Sequence, residues 1–308
     1  MIKSKPIFAL CYAPPIGRKL TETIPRVQHK ESRRSGEPNT PTEHKIGTLT
    51  HTLAPAANKT YKDLRAAIST SKANMSLANS TTLAAAMIPA AYLVSLCGTS
   101  PNPSPDQKDR HTTERLGWIA GSFAVISRRI SLAIMLYHVL LTILPTYAPA
   151  HMAQICPNPE ARNPALFTWS ATSASSLALI YFGTTLRLSA YGGLGRYFTF
   201  HLAAPGKLVT TGVYRWVQHP SYAGILPMAL GSAGLFLRWD ATPACWVAEE
   251  TLSRLRGCGL GAVVAFFVLG SWGMMARVRD EEEMLKQHFG KEWEEWHAKT
   301  GRFIPGIL

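Results

Sequence analysis

Apolar residues along this 308-residue chain gather into five runs: roughly Leu83 to Cys97, Ile130 to Ala148, Leu166 to Leu188, Tyr222 to Leu237 and Leu260 to Ala276. A helix that crosses a bilayer needs about 20 such residues, with about 17 as the lower limit, so the first and fourth runs are short. The pattern predicts an all-α integral membrane protein with about five transmembrane helices, the last two forming a C-terminal hairpin. A further stretch, Leu116 to Ile126, is cut off by Arg128-Arg129 and reads as an interfacial or re-entrant piece. No internal repeat is visible.

Residues 1–80 have little periodicity and are rich in Pro, Thr, Ser, Asn and Lys, the signature of a disordered tail. The remaining 81–308 read as one membrane-embedded domain. The formal net charge is +13, and thirteen Lys/Arg against five Asp/Glu fall before residue 81. Beyond the tail, basic residues flank apolar runs and form no stripe, which favours a lipid bilayer over nucleic acid as the partner. The short apolar patch from Ile7 to Tyr12 is broken by Pro14-Pro15 and does not make a signal peptide. Cys11, Cys97, Cys156, Cys245 and Cys258 form no CxxC pair, so neither a metal site nor a disulfide framework is expected, only buried apolar residues and loop thiols.

Two polar clusters border the last two runs. In the first, "GVYRWVQHPSYAG" (Gly212 to Gly224), Pro220 stands where a helix begins, since its missing N–H costs nothing in a first turn. His219, Ser221 and Tyr222 then surround a helix N-terminus, which favours an anionic or polar ligand group. In the second, "RVRDEEEMLKQHFGKEWEEWH", Arg277 and Glu281 are four apart on one helical face. Leu285, Phe289, Trp293 and Trp296 continue at helical spacing and are expected on the membrane interface. No strand–GxGxxG–helix unit occurs, and "YGGLGRY" lacks the spacing, so a Rossmann domain is not expected.

The stretches "LVTTGVYRWVQHPSYAG" and "RVRDEEEMLKQHFGKEWEEWHAKTGRFIPG" together resemble the isoprenylcysteine carboxyl methyltransferase family, with its ordered RHPSY-x-G and R-x-x-x-EE elements. The resemblance covers about residues 186–305. It implies an integral membrane enzyme with S-adenosyl-L-methionine as cofactor and the C-terminal prenylcysteine carboxylate of a prenylated protein as acceptor. Carried across, the cofactor residues are Gly206 (through its backbone), Lys207, Leu208, Val209, Tyr214, His219, Pro220, Ser221, Tyr222 and Glu281. A contact from within Phe198 to His201 is also implied, and Arg277 matches the arginine that holds the acceptor. The family's RHP arginine is Gln218 here, and Arg215, three residues earlier, is the nearest cation to stand in for it.

Two other readings stay open on sequence grounds. A phospholipid or amine methyltransferase shares the HP-x-Y and EE elements, and the Gln218 departure is compatible with a non-catalytic relative. For the clusters to act together, Tyr191 to Gln218 and Val278 to Leu308 must share one membrane face. Counting back puts Ser100 to Arg129 on that face, and positive-inside bias makes it cytosolic, in a membrane expected to be the endoplasmic reticulum.

Overall fold

A computed structural model describes residues 46–110, 121–255 and 259–307 of the chain. In chain order the α-helices are α1 (Ile46–Cys97), α2 (Ser122–Tyr147), the single turn α3 (Met152–Ile155), α4 (Ala171–Leu194), α5 (Pro220–Leu235), α6 (Glu249–Leu255), α7 (Gly259–Phe289) and α8 (Lys291–His297). Short 3-10 turns link them, and among the described residues the only β pairing is two isolated bridges, Val217 with Gly301 and Ile304 with Ile307. The chain is therefore an all-α protein.

Four stretches are long and apolar enough to cross a membrane: Leu64–Cys97, Ser122–Tyr147, Pro164–Tyr197 and Gly261–Phe289. These make it an integral membrane protein. The fourth apolar run becomes α5, whose 16 residues extend about 24 Å, short of a hydrocarbon core of roughly 30 Å. Residues 111–120 of the expected interfacial piece lie outside the described residues. From Ser122 that piece is the first turn of α2, and Arg128-Arg129 sit inside this helix instead of ending the run. Helix α1 begins at Ile46, so residues 46–80 are helical where the composition reads as irregular; residues 1–45 lie outside the described residues. The described residues of 76–308 form one compact unit, and all packing below belongs to it.

Small residues let α4 and α5 meet backbone to backbone. A Cβ placed on Gly183 would lie 2.5 Å from the carbonyl oxygen of Gly224, and one on Gly224 would lie 2.5 Å from that of Gly183. Two turns on, Gly231 abuts the Ser176 carbonyl. In lipid there is no hydrophobic drive between helices, so contact of this closeness is what holds such a pair. Ser170 caps α4 through a hydrogen bond from the Ser173 backbone N–H, and Ser173 returns one to the Ser170 N–H.

The main apolar core joins α1, α2, α4 and α5 through Leu83, Met87, Leu141, Ile180, Leu235 and Phe236, all fully buried. At the end where α4 starts and α5 stops, the connections around 149–166 and 240–246 are tied by a Cys156–Cys245 disulfide. This corrects the sequence expectation of unlinked thiols: the two cysteines are 89 residues apart, and only the antiparallel α4–α5 pair brings their loops together. Nearby, buried His138 stacks on Phe167 and reaches Thr242 and the Leu166 carbonyl, all its polar atoms partnered.

At the opposite end, where α4 stops and α5 starts, Asn102 donates to the carbonyls of Gly195 (2.7 Å) and Phe198 (2.8 Å), so the loop after α1 shares that end. Helix α7 brings its C-terminal half there too. Gly290, with φ +55°, lets the chain turn into α8. Leu285, Phe289, Trp293 and Trp296 then pack with Leu202 and Leu208 in a small apolar cluster. These aromatics close the protein's own cap.

Candidate functional site

The site is assembled from the first turn of α5, the C-terminal half of α7, the 198–214 connection and the last residues of the chain. His219 is the N-cap of α5 and Pro220 its first residue, as the "HPSY" stretch predicts. A cavity of about 670 Å³ lies against them. Of the residues singled out from sequence, Leu208, Val209, Tyr214, His219, Pro220, Ser221, Tyr222, Arg277 and Glu281 line this cavity, as do Phe198 to His201. Gly206 and Lys207 are exposed and lie just outside the lining.

His219 is almost wholly buried and held from one side only. Its Nε2 lies 3.2 Å from Glu282 Oε1, and Arg302 grips the same carboxylate through Nε (2.8 Å to Oε1) and Nη2 (3.0 Å to Oε2). A carboxylate only accepts, so Nε2 carries the proton. Nδ1 is buried with no hydrogen-bond partner, 3.9 Å from Glu281 Oε1. Two acceptors thus converge on one spot in the cavity wall. Tyr214 is buried, its hydroxyl donating to the Ala190 carbonyl at 3.3 Å, and burial raises its pKa, with the Glu281 charge adding to the effect.

Arg277 is anchored from the side. Its Nε donates to the Tyr222 hydroxyl at 3.0 Å and its Nη2 to the Phe200 carbonyl. The guanidinium therefore spans the gap between α7, the first turn of α5 and the 198–203 segment. The carboxylate of Glu281 follows one turn later on the same helix.

Gln218 does something the sequence does not announce. Buried, it donates through Nε2 to the carbonyls of Thr300 and His297 and accepts through Oε1 from His297 Nδ1 at 2.8 Å. Burial also lowers the His297 pKa, which keeps the ring neutral. The backbone completes the clasp: Gln218 N–H donates to Gly301 O (2.9 Å) and His219 N–H to Arg302 O (3.0 Å). Arg215, the expected stand-in cation, is exposed, lies over its neighbour Trp216 and does not line the cavity. That expectation is corrected, because the 3-10 turn at Gly212–Arg215 points its last residue outward.

Sequence reasoning missed three residues. Arg187 on α4 lines the cavity, although only a lone cation inside an apolar run marks it. Glu282 and Arg302 were visible as charges in a crowded segment, with nothing local to say that they brace a histidine more than 60 residues away.

Residues 176–256 match the isoprenylcysteine carboxyl methyltransferase family. The chain is 30% identical over 149 residues to a probable protein-S-isoprenylcysteine O-methyltransferase of Oryza sativa subsp. indica, covering 47% of this chain and 66% of that one. It is 29% identical over 147 residues to the protein-S-isoprenylcysteine O-methyltransferase of Schizosaccharomyces pombe, covering 46% and 52%. For the enzyme of that name from Saccharomyces cerevisiae the figures are 32% over 135 residues, 42% and 47%. The matches thus span between about half and just under two thirds of these relatives. The ordered motifs, the helical membrane fold and these matches agree in likening residues 176–256 to the isoprenylcysteine carboxyl methyltransferase family.

Proposed function

We propose that this chain methylates the C-terminal prenylcysteine carboxylate of prenylated proteins, using S-adenosylmethionine. The observation that carries the reading is the pairing of Arg277 and Glu281 on α7 with the first turn of α5, at the polar end of a cavity whose remaining walls are apolar membrane helices. Ala91, Met135, Leu226, Phe266 and Leu269 contribute to those walls. A prenyl chain enters such a space from the bilayer, and its carboxylate stops at the charged end.

The residues present fit the cofactor. The buried Nδ1 of His219, without a hydrogen-bond partner, calls for a ligand that donates a hydrogen bond, and the Glu281 carboxylate 3.9 Å away is a second acceptor for it. The ammonium or the ribose hydroxyls of S-adenosylmethionine answer that requirement. When bound, the cofactor supplies an electrophilic methyl group on a cationic sulfur. The chain's own residues do the rest. Arg277, its plane fixed by Tyr222 and Phe200, orients the acceptor carboxylate. No general base is needed, because a carboxylate is already ionised at neutral pH. The apolar walls exclude water, which strengthens the attraction between carboxylate and sulfonium.

The cavity end is read as facing the cytosol, in the endoplasmic-reticulum membrane. The disulfide supports this: it sits at the other end of the α4–α5 pair, and disulfides persist on the oxidising side of such a membrane. Incubating membranes that contain the protein with labelled S-adenosylmethionine and N-acetyl-farnesylcysteine is expected to yield a base-labile methyl ester. No ester from folded protein overturns the proposal.

A further inference from the structure

Arg187 is a cation on a membrane helix that none of the readings above employs. It belongs to α4, within the candidate span Pro164–Tyr197, and it lines the cavity. Its Nε donates to the Cys97 carbonyl at 3.0 Å and its Nη1 to the Ser221 hydroxyl at 2.6 Å. The rings of Tyr191 and Phe200 lie 5.2 and 5.8 Å from its guanidinium carbon. All of these partners are neutral, and no carboxylate among the described residues pairs with it. A guanidinium held at membrane depth without an anion is costly, and it marks a place where an anionic ligand is stabilised.

Charges of both signs meet at the first turn of α5. Arg187, Glu281 and Tyr214 line the same cavity, close enough for both charges to act on the Tyr214 hydroxyl. Glu281 and Arg277 act in the same way on the Tyr222 hydroxyl. Consecutive residues at the start of α5 receive one arginine each, Ser221 from Arg187 and Tyr222 from Arg277. Around the first turn of α5 the wall therefore carries two arginines, Arg187 and Arg277, and one carboxylate, Glu281. Two carboxylates and one ammonium complement these charges: the zwitterion of an amino-acid group together with a second carboxylate.

On the proposed methyl-transfer reading, we infer that Arg187 is the seat of the methyl donor's amino-acid carboxylate, with Glu281 holding the adjacent ammonium and Arg277 left to the acceptor. Gln218 cannot fill this role, because its amide is used up on His297 and Thr300. The cation that the RHP position lacks is thus supplied from the neighbouring helix.

The test varies the ligand and the residue together, by equilibrium binding to the purified full chain. S-adenosylhomocysteine is compared with its decarboxylated analogue, 5′-(3-aminopropylthio)adenosine. The wild type is expected to prefer the carboxylate form by about ten- to hundredfold, the worth of one charge-assisted hydrogen bond. Arg187→Gln is expected to abolish that preference, and Arg187→Lys, which keeps the charge without the fork, to retain part of it. A wild type that binds both ligands equally overturns the inference without recourse to any variant, as does a preference that survives Arg187→Gln. If Arg187→Gln instead erases discrimination between N-acetyl-farnesylcysteine and its amide, the arginine serves the acceptor and the assignment is overturned. A wild type that binds no S-adenosylhomocysteine at all removes the methyltransferase reading along with it.

Discussion

Arg277 and Glu281 are one helical turn apart, yet the neighbours of each give them separable tasks. Arg277 is fixed by Tyr222 and Phe200 and presents a planar fork; lysine keeps its charge and loses the plane. Arg277→Lys is expected to lower turnover about ten- to hundredfold, the cost of one charge-assisted bond to the acceptor, while S-adenosylhomocysteine affinity stays close to wild type. Rate and binding measured on the same preparation check this, and equal loss of both makes the residue structural. Arg302 acts at one remove. It holds Glu282, and Glu282 holds His219 Nε2, so that Nδ1 faces the cavity with its lone pair. Arg302→Ala is expected to weaken S-adenosylhomocysteine binding several-fold and Arg302→Lys to restore part of it. Unchanged affinity in the alanine variant means that Glu282 positions the ring without help.

At the scale of elements, the α4–α5 contact and the C-terminal clasp set the frame of the site. Gly183 and Gly224 each approach the other's carbonyl so closely that even one methyl group has no room. Gly224→Ala is expected to cost about 1–3 kcal/mol through overpacking, read as a lower thermal midpoint in detergent. An unchanged midpoint means that the helices separate freely. The clasp makes a less intuitive prediction. Restoring the family's arginine by Gln218→Arg removes the acceptor for His297 Nδ1 and forces a longer side chain into a buried place. The expected result is destabilisation of about 1–3 kcal/mol from the unsatisfied donor, rather than a gain in affinity. Tighter S-adenosylhomocysteine binding at unchanged stability overturns that account.

Across the whole molecule the Cys156–Cys245 bridge and the cavity lie at opposite ends of the same helix pair. The bridge closes a loop across 89 residues of sequence, and its loss is expected to cost about 2–4 kcal/mol. In Cys245→Ser the unfolding midpoint should fall, and addition of a reductant should then change it no further. A bulky membrane-impermeant maleimide, applied to sealed microsomes, should fail to label the freed Cys156. Labelling from the cytosolic side reverses the orientation proposed here. The site does not touch the bridge, so methyl transfer at low temperature is expected to survive its removal.

Local chemistry made much of this legible before any coordinates. The apolar runs fixed an all-helical membrane protein, because a backbone in lipid must satisfy its own hydrogen bonds. Pro220 after His219 marked the start of α5, and the four-residue spacing of Arg277 and Glu281 put both on one face, since each effect acts within a turn of helix. What lay beyond a few turns was decided by the tertiary structure. Composition made residues 46–80 look irregular, yet they form the first part of α1, Pro55 included. Gln218 looked like a lost charge until the C-terminal segment folded back onto it, and Arg215 looked like its replacement until a 3-10 turn directed it outward. Arg187, the Glu282–Arg302 brace and the disulfide depend on residues from 20 to 90 positions apart. No local pattern encodes such pairs; the close backbone approach of α4 and α5, with the C-terminal return, brings them together.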